Sequence, residues 1–395
     1  MTFMLSMFVW GVALLISIPV LVFCLEVLSS FFPAKERREG VAPASVAIIV
    51  PAHNEGEHIK NTLADIKAQL RACDRLIVVA DNCSDNTFEI AVACGAEVFV
   101  RTDPDRRGKG YALQFAIDQL QASPPECVVF LDADCRVEEG VLLKIAAIAH
   151  SEKRPAQAMY LMTPPEEFHP RTNVSVFAWM MMNKVRMTGL QRMAGVTRFT
   201  GAGLAAPWSV VSKLPFATGD ITEDLVLTFK MTELGAAPLL VSSAVVTSEF
   251  PAADKARVTQ RARWEHGSLG VIFHHGLPAM WRSLKQSNLK LLALSFDAVV
   301  PPIILLGALL LVVAGLCLLF SMAVGVAPFV WVAGAAAIYI ASILVGWLAY
   351  GRDVLPPSKL GSLGPFLFDK LKIYGDEGRA STKVWTRTDR DDGAP

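Results

Sequence analysis

Val128-Val129-Phe130-Leu131-Asp132-Ala133-Asp134 carries four apolar residues straight into two carboxylates separated by one residue. An unbroken apolar run this short reads as a strand buried on both faces, the kind found in parallel sheets. Strand alternation sends Asp132 and Asp134 to the same side of the chain. Open α/β sheets bind ligands beyond the carboxyl ends of their strands, which is where both acids fall. Two carboxylates this close repel each other and are best satisfied by a divalent cation; hard oxygen ligands favour magnesium or manganese. The competing reading is a polar strand terminus, because Asp is common in turns. Asp-x-Asp is too short a pattern to decide alone, so the surroundings must.

Working upstream, residues 45–51 read as a strand ending at Pro51, followed by a helix over 57–70. A second strand over 75–80 ends in the turn-forming Asp81-Asn82-Cys83-Ser84-Asp85-Asn86-Thr87. Then come a helix over 88–93, a strand over 97–101, a charged glycine-bearing loop over 103–110 and a helix over 111–121 that leads into the opening strand. Strands alternating with helices imply βαβ units and a mainly parallel sheet. In such a sheet four polar clusters meet on one edge: Pro51-Ala52-His53-Asn54-Glu55, the 81–87 turn, Arg106-Arg107-Gly108-Lys109-Gly110 and Asp132-Ala133-Asp134. Carboxylates there accept hydrogen bonds from a ribose or base, a basic loop faces a diphosphate, and glycines let the backbone come close. Each cluster by itself is also an ordinary turn or solvated loop.

Downstream, Phe199-Thr200-Gly201-Ala202-Gly203 supplies a small-residue loop suited to close approach by a ligand. Ile221-Thr222-Glu223-Asp224-Leu225 places adjacent acids at the start of a helix over 225–234; helix capping by Thr222, with acids in the first turn, explains them equally well. In Gln260-Arg261-Ala262-Arg263-Trp264-Glu265-His266, helical spacing puts Gln260, Arg263 and Trp264 on one face. There an arginine can hold phosphate while the indole stacks on a sugar; a snorkelling helix near a membrane is the alternative.

Composition places this domain against a bilayer. Of 395 residues, 53% are hydrophobic and the mean hydropathy is +0.41, above the usual soluble range of about 45–50% apolar. Formal net charge is zero, so the basic footprint of a nucleic-acid binder is missing. Seven scattered cysteines without zinc-ligand spacing fit reduced thiols. Residues 3–32 are uncharged apart from Glu26 and mostly apolar, and a span takes roughly 20 residues. A cleaved signal peptide competes, but no positive segment precedes the run. Lys35, Glu36, Arg37 and Arg38 follow, which under the positive-inside rule puts the N-terminus outside. Two more apolar blocks fill residues 291–350; the first is interrupted by Pro301-Pro302, which implies a kink or interfacial segment before its span. Lys285 and Lys290 before them and Arg352 after them face the cytoplasm by the same rule. The expected organisation is an N-terminal span (1–32), a cytoplasmic globular domain (45–270), an interfacial amphipathic helix (271–290, centred on 278–286), two spans (291–350) and a cytoplasmic tail (351–395). His274 and His275 lack a neighbouring carboxylate on their C-terminal side to complete a metal site.

On these residues the chain resembles the membrane-integrated family 2 inverting glycosyltransferases of GT-A fold, of the cellulose-synthase-like and chito-oligosaccharide-synthase-like kind. Pro51-Ala52-His53-Asn54-Glu55 is similar to the family's opening motif, Asp132-Ala133-Asp134 to its Asp-x-Asp, Thr222-Glu223-Asp224 to its Thr-Glu-Asp, and Gln260-x-x-Arg263-Trp264 to its Gln-x-x-Arg-Trp. Lys370-Leu371-Lys372-Ile373-Tyr374 and Trp385-Thr386-Arg387-Thr388 look like the ending of small members. The resemblance implies a Rossmann-like, nucleotide-sugar-binding α/β domain flanked by transmembrane helices. It implies that Pro51, Glu55, Asp81, Lys109 and Asp132 bind the nucleotide-sugar, and that Asp132 and Asp134 hold a divalent metal (Mg or Mn), Asp134 more directly. Asp224 and Glu223 are implied as the catalytic acids, Asp224 being the general base with a raised pKa, and Gln260, Arg263 and Trp264 as the frame for acceptor and diphosphate. Many relatives carry Asp-Asp where this chain has Ala80-Asp81, so one of those carboxylates is missing.

The implied activity is transfer from a UDP-linked donor to a growing β-linked polysaccharide at a bacterial inner membrane, with the catalytic domain in the cytoplasm. Three visible spans then call for a homo-oligomer, an export subunit or short products. Single addition to a polyprenyl-linked acceptor is the alternative. A non-catalytic assembly factor is a third reading, and it predicts lost carboxylates, which are present.

Overall fold

Helix α1 (Thr2–Ser29) opens the chain. The computed structural model describes residues 2–33, 40–56, 58–165, 170–220, 222–251 and 254–364; the basic flank at Lys35–Arg38 and the tail similarities at 370–374 and 385–388 lie outside the described residues. Then follow β1 (Val46–Ala52), α2 (Ile59–Lys67), β2 (Arg75–Asp81), α3 (Thr87–Ala93), β3 (Glu97–Arg101), α4 (Lys109–Leu120) and β4 (Cys127–Phe130). After these come β5 (Arg136–Val137), α5 (Val141–Glu152), β6 (Ala156–Thr163), α6 (Pro170–Met180), a π-helical turn (Met181–Arg186) and α7 (Met187–Ala194). The domain closes with β7 (Leu204–Pro207), α8 (Trp208–Val211), α9 (Glu223–Glu233), β8 (Leu239–Glu249) and α10 (Asp254–Val271).

The eight strands form one sheet in the order β3-β2-β1-β4-β7-β6-β8-β5. Four of its seven neighbouring pairs are parallel, and β3, β2, β1 and β4 make an uninterrupted parallel half. The apolar runs behave as two-sided strands. Ile48, Val50 and Val129 face a core built with Ile59, Leu63 and Ile66 of α2 and Ile145 of α5. Ala47, Ile49, Val128 and Phe130 face a second core with Leu113, Ala116 and Leu120 of α4 and Leu227 of α9. The chain steps from β1 to β2 and β3 on one side, then crosses from β3 to β4 on the other side of β1, which opens a crevice beyond the carboxyl ends of these strands.

The mixed half, in which β6 and β8 run parallel, is less legible. β7 pairs antiparallel with both β4 and β6, and β8 is bulged between Ala158 and Met159 of its partner β6. Ala-Gln-Ala-Met-Tyr-Leu-Met-Thr of β6 and Leu-Ala-Ala-Pro of β7 hold few β-branched residues, so local sequence carries little strand signal.

At the C-terminal side lie a π-helical turn (Ile272–Gly276), α11 (Leu277–Lys285), α12 (Leu289–Ala298), α13 (Ile303–Leu319), α14 (Ser321–Val324) and α15 (Ala327–Gly346). The helices Thr2–Ser29 and Ala327–Gly351 are long and apolar enough to cross a membrane; α12 and α13 pass together but bend by 71° at the break that holds Pro301-Pro302. Apolar faces of α1, α13 and α15 pack together and onto Phe177, Met180, Met181 and Val185 of the α/β domain, while Phe3, Met4, Leu311 and Leu319 point outward. Gly189 of α7 permits the closest approach: a Cβ there would lie 1.8 Å from the Glu26 carbonyl oxygen of α1.

Candidate active site at the sheet edge

A cavity of about 720 Å³ lies beyond the carboxyl ends of β1, β2 and β4. Its wall brings together Pro51, Glu55, Asp81, Lys109, Asp132, Asp134, Glu223, Asp224, Gln260, Arg263 and Trp264, residues drawn from the full length of the domain.

At the nucleotide end, Asn54 and Asn82 turn the chain out of β1 and β2 with positive φ of 56° and 52°, a backbone that asparagine tolerates. Asn54 Oδ1 accepts from Ser84 N at 2.7 Å and Thr87 Oγ1 accepts from Glu55 N at 2.8 Å, which ties the two turns together. Asp81 is buried and already engaged: Arg101 Nη1 donates to Oδ1 at 2.6 Å, and Asn82 Nδ2 donates at 3.0 Å. Arg101, unremarked in the sequence, therefore answers the single carboxylate that remains of this motif.

Lys109 is the partly buried cation of its basic loop, and Arg107 also lines the cavity. Lys109 Nζ pairs with Asp132 Oδ1 and donates to the Gly201 carbonyl at 2.8 Å, while Arg106 and Arg107 are exposed. Burial by itself would lower the Lys109 pKa, but the neighbouring Asp132 and Glu223 carboxylates override it and hold the ammonium firmly charged. Gly201 has φ of +87°, and a Cβ there would stand 3.6 Å from Lys109 Nζ, 3.8 Å from Asp224 Oδ2 and 3.9 Å from Asp132 Oδ2. The small-residue loop thus places its glycine among the three charges.

Asp132 and Asp134 lie just past β4 rather than in it. Asp134 Oδ2 accepts from Ser248 Oγ of β8 at 2.5 Å. Ligating atoms of Asp132, Asp134 and the buried Cys135 all fall within 4.8 Å of one another. Two half-buried carboxylates offering hard oxygens to one small volume fit a divalent cation. Burial raises the Cys135 thiol well above its ordinary pKa, so it is a poor ligand beside them.

Glu223 and Asp224 start α9. Thr222 stands at the cap position without a side-chain cap bond, so capping does not account for the motif. Its methyl instead meets Gly267 of α10, where a Cβ would be 2.4 Å from Thr222 Cγ2. Burial lifts both acids despite Lys109: Glu223 to about 8 and Asp224 to about 6. Environment thus raises both of two adjacent carboxyls, with the Lys109 ammonium opposing the rise at each. Leu225 N donates to Asp224 Oδ1 at 2.9 Å, orienting it.

Gln260, Arg263 and Trp264 share one face of α10 and line the cavity. Trp264 packs on Trp179 with centroids 4.8 Å apart, and Phe250 completes the cluster at 6.4 Å from both rings. Only the tertiary structure reveals Trp179, Phe250 and Arg198 as cavity residues. Beyond them the wall continues through Leu294, Ala298, Val300, Pro302 and Ile303, at the bend between α12 and α13.

Against known proteins, the family model described as glycosyltransferase like family 2 matches residues 43–267. A 4,4'-diaponeurosporenoate glycosyltransferase of Staphylococcus haemolyticus is 24% identical over 183 residues, 45% of this chain and 47% of that protein. A probable glycosyltransferase of Bacillus subtilis is 26% identical over 240 residues, 58% of this chain and 56% of that protein. The chain thus spans about half the length of these curated relatives. A mannosyltransferase from Pyrobaculum calidifontis, solved with GDP-Man and Mn2+, superposes with a TM-score of 0.52 at 16% identity, covering 95% of this chain and 94% of that one. At that identity the likeness is one of fold.

Proposed function

Because the chain belongs to the glycosyltransferase-like family 2, we propose that it is a membrane-integrated, inverting glycosyltransferase. In this reading it moves a sugar from a nucleotide-sugar, UDP-linked, to a lipid-linked acceptor presented at the bilayer. The observation that carries it is the continuity of the cavity, from Asp81 and the Asp132–Asp134 pair past Asp224 to the apolar residues at the α12–α13 bend. A donor diphosphate belongs at the charged end; an acceptor with an apolar chain belongs at the other. In this scheme the helices Thr2–Ser29 and Ala327–Gly351, with the bent pair, cross the membrane, and the α/β domain lies on the cytoplasmic side.

The residues divide the work. Glu55 and Asp81 face the nucleoside, and Lys109 neutralises charge at the diphosphate. Asp132 and Asp134 would hold Mg2+ or Mn2+, which when bound supplies positive charge to the leaving group. Asp224, with a pKa raised to about 6, is a base suited to neutral pH. It takes the proton from the acceptor hydroxyl as that oxygen bonds to the anomeric carbon. The bond from that carbon to the diphosphate oxygen breaks on the opposite face, and the nucleoside diphosphate leaves with the electron pair. Gln260 and Arg263 support the diphosphate, and Trp264 and Trp179 offer aromatic surface to the acceptor sugar.

Gln260-x-x-Arg263-Trp264 on the cavity wall favours a second reading, a growing β-linked polysaccharide with a homo-oligomer or partner subunit for export. A panel of labelled UDP- and GDP-sugars, assayed in membranes with Mn2+ or Mg2+, separates them by product size. One added sugar on extractable lipid is expected; a ladder of longer products supports the polysaccharide. No nucleotide release with any donor would remove the transferase reading.

A further inference from the structure

Arg198 lies on the membrane half of the cavity, where its charge meets Asp297 of α12 and also acts on Asp224. Its Nε stands 3.3 Å from Asp297 Oδ2 of α12, and one Nη donates to the Met182 carbonyl at 2.9 Å. Asp297 Oδ1 in turn accepts from Arg186 Nη2 at 2.8 Å, and Arg186 Nε donates to Glu26 Oε2 of α1 at 2.5 Å. Arg186 is fully buried, Glu26 is 1% exposed, Asp297 2%, and the Arg198 side chain 13%. Two acids and two guanidiniums thus form one buried chain that begins on the N-terminal helix and ends on the cavity wall, its last link an ion pair rather than a hydrogen bond. Removing one partner from such a chain strands a charge.

From Arg198 the connection runs on to the reacting groups. The next residue, Phe199, donates its N–H to Thr228 Oγ1 at 2.9 Å, and that hydroxyl donates to the Asp224 carbonyl at 2.9 Å. Gly201, on the same short segment, abuts Lys109, Asp132 and Asp224. Residues 198–201 therefore link Arg198 to the base through static contacts.

We propose that Arg198 is a positioning residue for glycosyl transfer: Glu26, Arg186 and Asp297 hold it, and through residues 198–201 it sets Asp224 relative to the acceptor end. The N-terminal membrane helix is then part of the catalytic apparatus as well as an anchor. This rests on the transferase reading above, and it goes further by assigning work to four residues outside the family motifs.

A double-mutant cycle on the full-length protein tests it, using labelled UDP- and GDP-sugars with Mn2+. Transfer to membrane acceptor and acceptor-independent hydrolysis of the donor are read side by side. Arg198→Ala and Asp297→Asn are each expected to lower transfer kcat by at least about tenfold, since small misplacements of reacting groups cost up to about 10²-fold. Donor KM and hydrolysis should stay within about threefold. The double variant should be little worse than the poorer single, as expected for residues acting through one contact. Glu26→Gln should show the same split, more weakly. Losses that multiply in the double variant, or hydrolysis falling in step with transfer, overturn the positioning role. Should Arg198→Ala fail to accumulate, Arg198→Lys replaces it, keeping charge without the paired contacts; wild-type transfer by Arg198→Lys likewise overturns the role. Wild-type protein without turnover would instead remove the transferase reading itself, so the two failures are distinguishable.

Discussion

Asp224 and Glu223 are neighbours with opposite assignments, and their environments make the difference testable. Asp224→Asn removes the base and is expected to lower kcat by roughly 10²–10⁴-fold, with nucleotide affinity by calorimetry unchanged; weakened affinity with normal turnover would refute the assignment. Burial raises the Glu223 pKa, which favours its protonated form, and Glu223→Gln keeps that shape, so it should cost far less than Asp224→Asn. The sign of the pH dependence follows. A base works deprotonated, so kcat/KM should fall as pH drops through about 6 and level off above it; a profile that rises toward acid would exclude Asp224 as base. Gly201 is a third residue-scale case. Alanine at φ +87° costs roughly 1–2 kcal/mol in left-handed backbone, and its methyl would enter the space among three charges. Gly201→Ala should lower both kcat and thermal stability, and wild-type kinetics would show that this space is not used.

At the scale of elements, two close approaches join the motifs. Gly267 lets α10 touch Thr222 at the start of α9, which brings Gln260, Arg263 and Trp264 to the same cavity as the acids. Gly189 lets α7 touch α1 at Glu26. Gly189→Ala forces a contact of 1.8 Å to relax, an overpacking expected to cost about 1–3 kcal/mol and readable as a lower midpoint in detergent unfolding. An unchanged midpoint would mean that α1 moves away freely. The parallel strands were legible because a strand covered on both faces must be continuously apolar, as Val128 to Leu131 are. β6 and β7 were not, because Ala- and Met-rich strands look like helix to local propensity and are placed by their neighbours. The kink at Pro301-Pro302 was legible for a local reason: proline lacks the donor that a helix interior needs.

For the molecule as a whole, α1 is expected to be inseparable from the α/β domain. Deleting residues 1–33 exposes the apolar face shared with α13 and α15 and removes Glu26 from the fully buried Arg186, a loss of about 3–5 kcal/mol in comparable buried pairs. The truncated protein should aggregate on size-exclusion chromatography in detergent, and a monodisperse, active truncation would contradict this.

The sequence by itself determined the motifs and their order. Asp132-Ala133-Asp134, Thr222-Glu223-Asp224 and Gln260-x-x-Arg263-Trp264 are local patterns, and the apolar helices have the length that a bilayer requires. Tertiary structure alone decided which charges answer which. Arg101 on Asp81, Lys109 on Asp132 and the chain from Glu26 to Arg198 join residues far apart in sequence. The energy of a buried charge depends on the partner folded against it and on excluded water, and neither is written in the residues that flank it.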